Sequence, residues 1–161
     1  MAQNQPTELF MPPNMLKAKV GGGLGGVDAA ALKRADTALE TLSTEYAGWL
    51  EQDVKVLVAA HANFAAAPSA ENRAALLRAA HDIKGQAATF DFPLVARVAA
   101  SLSRLLGEIA PDEPLPPGLA DAHVQAVQVI YRENIRDTGN PMAQMLCAEL
   151  DIKVSKTLTQ H

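Results

Sequence analysis

His81, Lys84 and Gly85 stand within five positions of one another and have the types and spacing to act together. Around them Leu76, Ala80, Ile83, Ala87 and Phe90 recur at intervals of four, three, four and three, which predicts a helix that buries that side. At about 100° per residue, His81 falls roughly 140° from the centre of the stripe, so its imidazole faces water. Lys84 and Gly85 follow one turn later on the same side. An imidazole in water is largely neutral at pH 7, and its unprotonated nitrogen is a nucleophile. A phosphoryl group placed there would carry about two negative charges. The ammonium of Lys84 is a compact, mobile cation suited to such a transient charge. Gly85 removes a side chain beside the ring and opens it to another protein's active site. Glycine inside a helix costs roughly 1 kcal/mol relative to alanine, so in an Ala-rich helix it points to a steric reason. Leu77 and Ala88 flank this face and offer apolar contact, and Gln86 brings an amide beside it.

The other histidines lack such neighbours. His61 lies near the stripe of Leu57 and Phe64 and reads as a partly buried bundle residue. His123 flanks Val124 with no Lys-Gly nearby, and His161, the last residue, is expected to fray. A di-iron bundle needs Glu three positions before its histidines. Val58, Arg78, Ala120 and Leu158 stand there instead. A phosphate-binding loop needs Gly-Lys-Ser/Thr after its first glycine. The run from Gly21 to Gly26 continues into Val27 and Asp28 and reads as a linker. The single Cys147, beside Leu146 and Leu150, excludes an internal disulfide and reads as a small core residue.

The elements that must position His81 follow from composition and period. The chain has 161 residues, 48 % hydrophobic, 20 % charged and only 4 % aromatic, which favours closely packed helices in one domain. A net charge of −4 argues against nucleic acid as partner, because neutralising phosphates takes a basic face. With no run of about 18 apolar residues and no export signal, no membrane span is expected and the cytoplasm is the expected location. Residues 1–27, with Pro6, Pro12, Pro13 and a glycine hinge, are expected to form a flexible arm carrying Leu9, Phe10, Met11, Met15 and Leu16. Residues 28–161 are expected to be the bundle. Asp28 is a candidate N-cap. Two heptad-spaced series follow, Leu32, Leu39 and Tyr46 interleaved with Ala35, Leu42 and Trp49, and the stripe continues to Phe64 before Pro68. Gly48 leaves open whether this stretch is one helix or two. The next helix starts after Ser69. Pro93 opens another, with Val95, Val98, Leu102 and Leu105 inward and Gly107 as its stop. Past the Pro111–Pro117 loop, Ala120, Val124, Val127, Tyr131 and Ile135 mark a helix ending near Gly139. Asn140-Pro141 begins the last, which holds Leu146, Leu150, Val154 and Leu158 inside. The fold class is all-α, an antiparallel four-helix bundle with an additional N-terminal helix.

The run His81-Asp82-Ile83-Lys84-Gly85-Gln86-Ala87-Ala88-Thr89-Phe90 resembles the signature of histidine-containing phosphotransfer (HPt) domains, H-x-hydrophobic-K-G followed by small and hydrophobic positions. The resemblance implies a bundle that shuttles a phosphoryl group between aspartates of receiver domains in two-component phosphorelays. His81 would be the phosphoacceptor, Lys84 its charge partner and Gly85 the clearance position, with Leu77, Gln86 and Ala88 at the docking face. It implies no kinase lobe and no cofactor of its own, the Mg²⁺ belonging to the receiver. Its partners would be response-regulator receivers and a hybrid histidine kinase. Gln86 stands where the family has a small residue, and Asp91 where a glycine often follows. Aspartate tolerates the left-handed backbone that such a turn requires. The alternative is a helical adaptor that binds signalling proteins without accepting phosphate. Heptad spacing in the first segment leaves dimerisation open, and a bundle closing on itself gives a monomer as the expectation.

Overall fold

Caps and prolines set where the helices begin. The computed structural model describes the backbone of residues 25–161 and, apart from residues 25–28, 43, 44, 46 and 47, their side chains. The described residues form five helices and no strand: α1 (Gly25–Ala66), α2 (Ala70–Thr89), α3 (Pro93–Glu108), α4 (Leu119–Arg132) and α5 (Pro141–Gln160). The described residues divide into two units, a first that ends at Glu45 and a second, Tyr46–His161. Ser69 caps α2 by accepting a hydrogen bond from the Asn72 amide at 3.1 Å. Asn140 does the same for α5 from the Ala143 amide at 3.0 Å. Pro93 and Pro141 occupy first turns, where a missing N–H costs nothing.

The turn after α2 closes as a left-handed cap. Asp91 has φ 64, and the Phe92 amide reaches back to the Ala87 carbonyl at 2.8 Å. Phe92 is buried there against Tyr131, ring centroids 5.3 Å apart, with the Arg136 guanidinium 4.5 Å from the centroid of the Phe92 ring. This fixes the chain reversal that lays α3 back along α2.

Three boundaries differ from expectation. Residues 28–66 lie in one helix, which starts at Gly25, so Asp28 sits inside its first turns rather than capping it. Two of the five hinge glycines, Gly25 and Gly26, are therefore helical, as is Val27, and residues 1–24 of the expected arm lie outside the described residues. α3 continues one residue past Gly107. α4 stops at Arg132, before Ile135, because Asn134 turns left-handed (φ 54) and the Ile135 amide bonds back to the Ile130 carbonyl at 3.0 Å.

The core gathers the inward stripes. Leu50, Leu57, Leu76, Ile83, Val95, Leu102, Leu105, Val127 and Val154 have no accessible surface. Burying each large side chain contributes about 1.5–3 kcal/mol. α3 is central, packing against α2, α4 and α5. Cys147 is buried, as its place beside Leu146 and Leu150 implied.

Polar contacts set the register of α2. Asn72 donates its side-chain amide to the Asn63 and Ala67 carbonyls, at 3.2 and 2.8 Å, closing the end of α1. Arg73, 5 % exposed, donates to the Leu106, Ile109 and Glu113 carbonyls at 3.3, 2.7 and 2.8 Å. A cation at the C-terminal end of α3 also suits the helix dipole. The beginning of α2 is thus fastened to two neighbouring chain ends before the His81 turn begins.

His123 is wholly buried, which removes it as a phosphorylation site. A carbonyl can only accept, so Nδ1–H donates to Leu119 O at 2.7 Å, and Nε2 accepts from the Ser101 hydroxyl at 3.0 Å. His161 follows the last helical residue, with its Nδ1 2.7 Å from Glu113 Oε2. Burial holds the proton affinity of His123 below the ordinary value of 6.5, outweighing the Leu119 hydrogen bond and the charge of Asp151. The unfolded chain therefore takes up this proton first. Stability is full above about pH 6.5 and falls as pH drops toward the lower folded-state value. Urea midpoints measured between about pH 7.5 and pH 5.5 should fall, and more shallowly in His123→Gln, which lacks the titrating ring. Equal slopes would contradict this burial argument.

Candidate functional site

α2 sorts its residues into two sides. Ala80, Ile83 and Ala87 have no accessible surface, whereas His81, Asp82, Lys84, Gly85, Ala88 and Thr89 are exposed. The imidazole predicted to face water does so. Among the described residues His81 and Lys84 make no hydrogen bond or ion pair, so ring and ammonium are uncommitted. Lys84 lies three residues from His81, in the neighbouring position of the next turn, within reach of a group on the ring.

Gly85 is the informative residue. A Cβ built there meets nothing within 4 Å, so no internal contact calls for glycine. Its backbone is helical, so no positive φ calls for it either. The fold would accept alanine at this position and gain helix propensity. What the glycine leaves is a stretch of helix surface without a side chain beside His81.

The flanking residues divide. Ala88 is exposed, Gln86 is half-buried, and Leu77 is half-buried against the core rather than exposed as its place on the outer flank suggested. Leu77 adjoins Leu76 and Ala80, and a wide core stripe draws it partly in. Outward apolar surface comes instead from α1, where Trp49 is 56 % and Val56 is 47 % exposed. Both lie one turn from Asp53. The Asp53 carboxyl is raised above its ordinary 3.8, first by burial and then by the charge of Asp82, which puts this part of α1 within electrostatic reach of the residue next to His81. Sequence reasoning missed Val56 and placed Trp49 in a heptad series.

A cavity of about 570 Å³ lies under the Pro111–Gly118 loop, walled by Phe64, Pro68, Leu115 and Ala120, and none of His81, Lys84 or Gly85 lines it. His61, 17 % exposed, borders this cavity with its Nε2 3.9 Å from Asp121, in the partly buried place the sequence assigned it. Among the described residues no group of His, Cys, Asp or Glu is placed to hold a metal ion, and no helix is long and apolar enough to cross a membrane. Small-molecule sites are concave, so a solvent-facing helix surface such as that around His81 suits a protein partner better.

The family model for the Hpt domain matches residues 29–133, well over half of the chain and including all of α2. The chain belongs to the Hpt domain family. No curated protein and no solved structure matches it. Hpt domains are phosphotransfer modules of phosphorelays and not kinases, and the all-helical architecture agrees with the Hpt bundle. The match ends at Glu133, ahead of α5, which supplies Cys147, Leu150 and Val154 to the core.

If the bareness of Gly85 serves a partner, stability and function should part at this residue. Gly85→Ala should raise the stability of this Hpt bundle by about 0.5–1 kcal/mol in urea unfolding, since only helix propensity changes. The same variant should exchange phosphoryl groups more slowly with a receiver. A Gly85→Ala protein that is less stable would mean that an internal contact requires the glycine.

Proposed function

We propose that this Hpt protein is a phosphorelay intermediate that accepts a phosphoryl group on His81 from an aspartyl phosphate of a receiver domain and passes it to another. The observation that carries the reading is the pairing of an exposed, uncommitted imidazole with the bare backbone of Gly85 one turn away. A receiver docks over Ala88, Gln86 and the exposed edge of Leu77, with Trp49 and Val56 on α1 widening the apolar contact. The unprotonated ring nitrogen of His81 attacks phosphorus in line. A P–N bond forms as the P–O bond to the aspartate breaks, and the carboxylate leaves with its electron pair. Lys84 approaches the transferred oxygens and offsets their charge. Catalysis of this kind is chiefly positioning and electrostatics. The Mg²⁺ and the lysine that neutralise the transition state belong to the receiver. Phosphoramidate and acyl phosphate are both high-energy linkages, so the transfer runs in either direction.

The bundle supplies a rigid nucleophile and open access, with no nucleotide-binding lobe in its sequence. Receivers of response regulators, and of a hybrid histidine kinase upstream, are the partners that this chemistry fits, in the cytoplasm where such relays meet. The acidic balance of the chain supports a protein partner over nucleic acid.

Incubation with a phosphorylated receiver tests each role. His81→Gln should accept no phosphoryl group, and label persisting in that variant would move the acceptor elsewhere. Lys84→Ala should keep its helical spectrum and transfer about 10-fold more slowly, equivalent to about 1.4 kcal/mol of barrier. Unchanged kinetics would make Lys84 incidental. Gly85→Arg should abolish receiver binding by bulk alone, and normal binding there would remove the clearance argument.

A further inference from the structure

The segment of α1 within the first unit carries an apolar stripe that nothing in the phosphotransfer reading uses. Every residue from Ala29 to Leu42 is exposed, including Leu32 at 62 %, Leu39 at 61 % and Leu42 at 42 %. With Ala35 they occupy successive a and d positions of a heptad, the spacing that seats one helix on another. Helices of this length draw most of their stability from packing an amphipathic face, so a stripe of this kind calls for a partner. Further along, Trp49 belongs to the second unit and is already engaged in an interaction.

We propose that the occupant is the same stripe of a second copy of this chain, running antiparallel. Self-complementarity argues for the copy. About a two-fold axis near Thr37, Leu32 packs against the partner's Leu42, and Ala35 against the partner's Leu39, so every layer pairs residues at a and d. Each small side chain then faces a large one. A parallel pair would set Ala35 against Ala35 and leave a gap between two leucine layers. Charge points the same way. The antiparallel arrangement brings the cationic turn of Lys33 and Arg34 level with the partner's Glu40, and it opposes the two helix dipoles. Parallel strands would set the two cationic turns side by side. The flanking positions Ala31, Ala38 and Ser43 are small and uncharged in sequence and admit close approach. One unfavourable contact is built in, because Asp36 comes close to the partner's Asp36 across the axis.

This inference stands apart from the phosphotransfer reading and uses none of its residues. Sedimentation of the full-length protein over a concentration series should give a reversible monomer–dimer equilibrium. Leu39→Glu alters an exposed position, so dimerisation should weaken about 100-fold or more, while the urea midpoint matches that of the wild type at dilutions where both are monomeric. Asp36→Asn should tighten the dimer at least about 2-fold, since a like-charge pair is removed, whereas in a parallel pair Asp36 would face Ala31 and nothing would change. Orientation is read directly by cysteine cross-linking, with the buried Cys147 silent. Ala35→Cys mixed with Leu39→Cys should give the disulfide-linked heterodimer, and Ala35→Cys alone should not cross-link. A monomer at every concentration, or a dimer indifferent to Leu39→Glu, would overturn the proposal. A disulfide homodimer of Ala35→Cys alone would overturn its antiparallel form.

Discussion

The site depends on α2 being unable to roll. Ala80, Ile83 and Ala87 have lost all contact with solvent, and Leu76 extends the same seam toward the N-cap. Turning the helix far enough to bury His81 would carry Asp82 or Lys84 inward as well. An unpaired charge in a protein interior costs several kcal/mol even after relaxation, comparable to the whole stability of many domains. The apolar seam thus holds the imidazole outward more firmly than any hydrogen bond to the ring would. It does so while leaving both ring nitrogens available.

The fastening at either end of α2 gives that constraint its precision. Ser69, Asn72 and Arg73 fix the beginning of the helix to the ends of α1 and α3. The left-handed Asp91 and the buried Phe92 fix its exit. Between them His81 and Lys84 make no hydrogen bond or ion pair among the described residues, and Gly85 gives up helix propensity at a position where a Cβ would meet nothing within 4 Å. A protein that hands a group between partners needs such a surface, because any interaction made internally must be broken at each encounter. Membership of the Hpt domain family agrees with this division between a fastened inner side and an open outer one.

Much of this was legible in the chain because it depends on local rules. The four-three spacing of Leu76 to Phe90 set which way His81 points, and Ser69, Pro93 and Asn140-Pro141 marked helix starts through caps that act within a few residues. The failures are equally physical. Ile135 continues the periodicity of α4, but Asn134 adopts a left-handed backbone that hydrophobic spacing does not encode. Gly48 left one helix or two open, and the structure has one because a single glycine costs only about 1 kcal/mol in a long helix. Leu77 was drawn inward by the width of the core stripe. The Arg73 staple, the pairing of His161 with Glu113 and the setting of Asp53 near Asp82 join residues distant in sequence, and only tertiary structure brings them together.

The most direct measurement is ³¹P nuclear magnetic resonance of the protein after incubation with a phosphorylated receiver, joined to mapping of the modified peptide. A single acid-labile phosphoramidate resonance, located on His81 and discharged by adding a second, unphosphorylated receiver, is the predicted result. A protein that binds the receiver yet acquires no phosphoramidate, or acquires one on another histidine, would contradict the central claim.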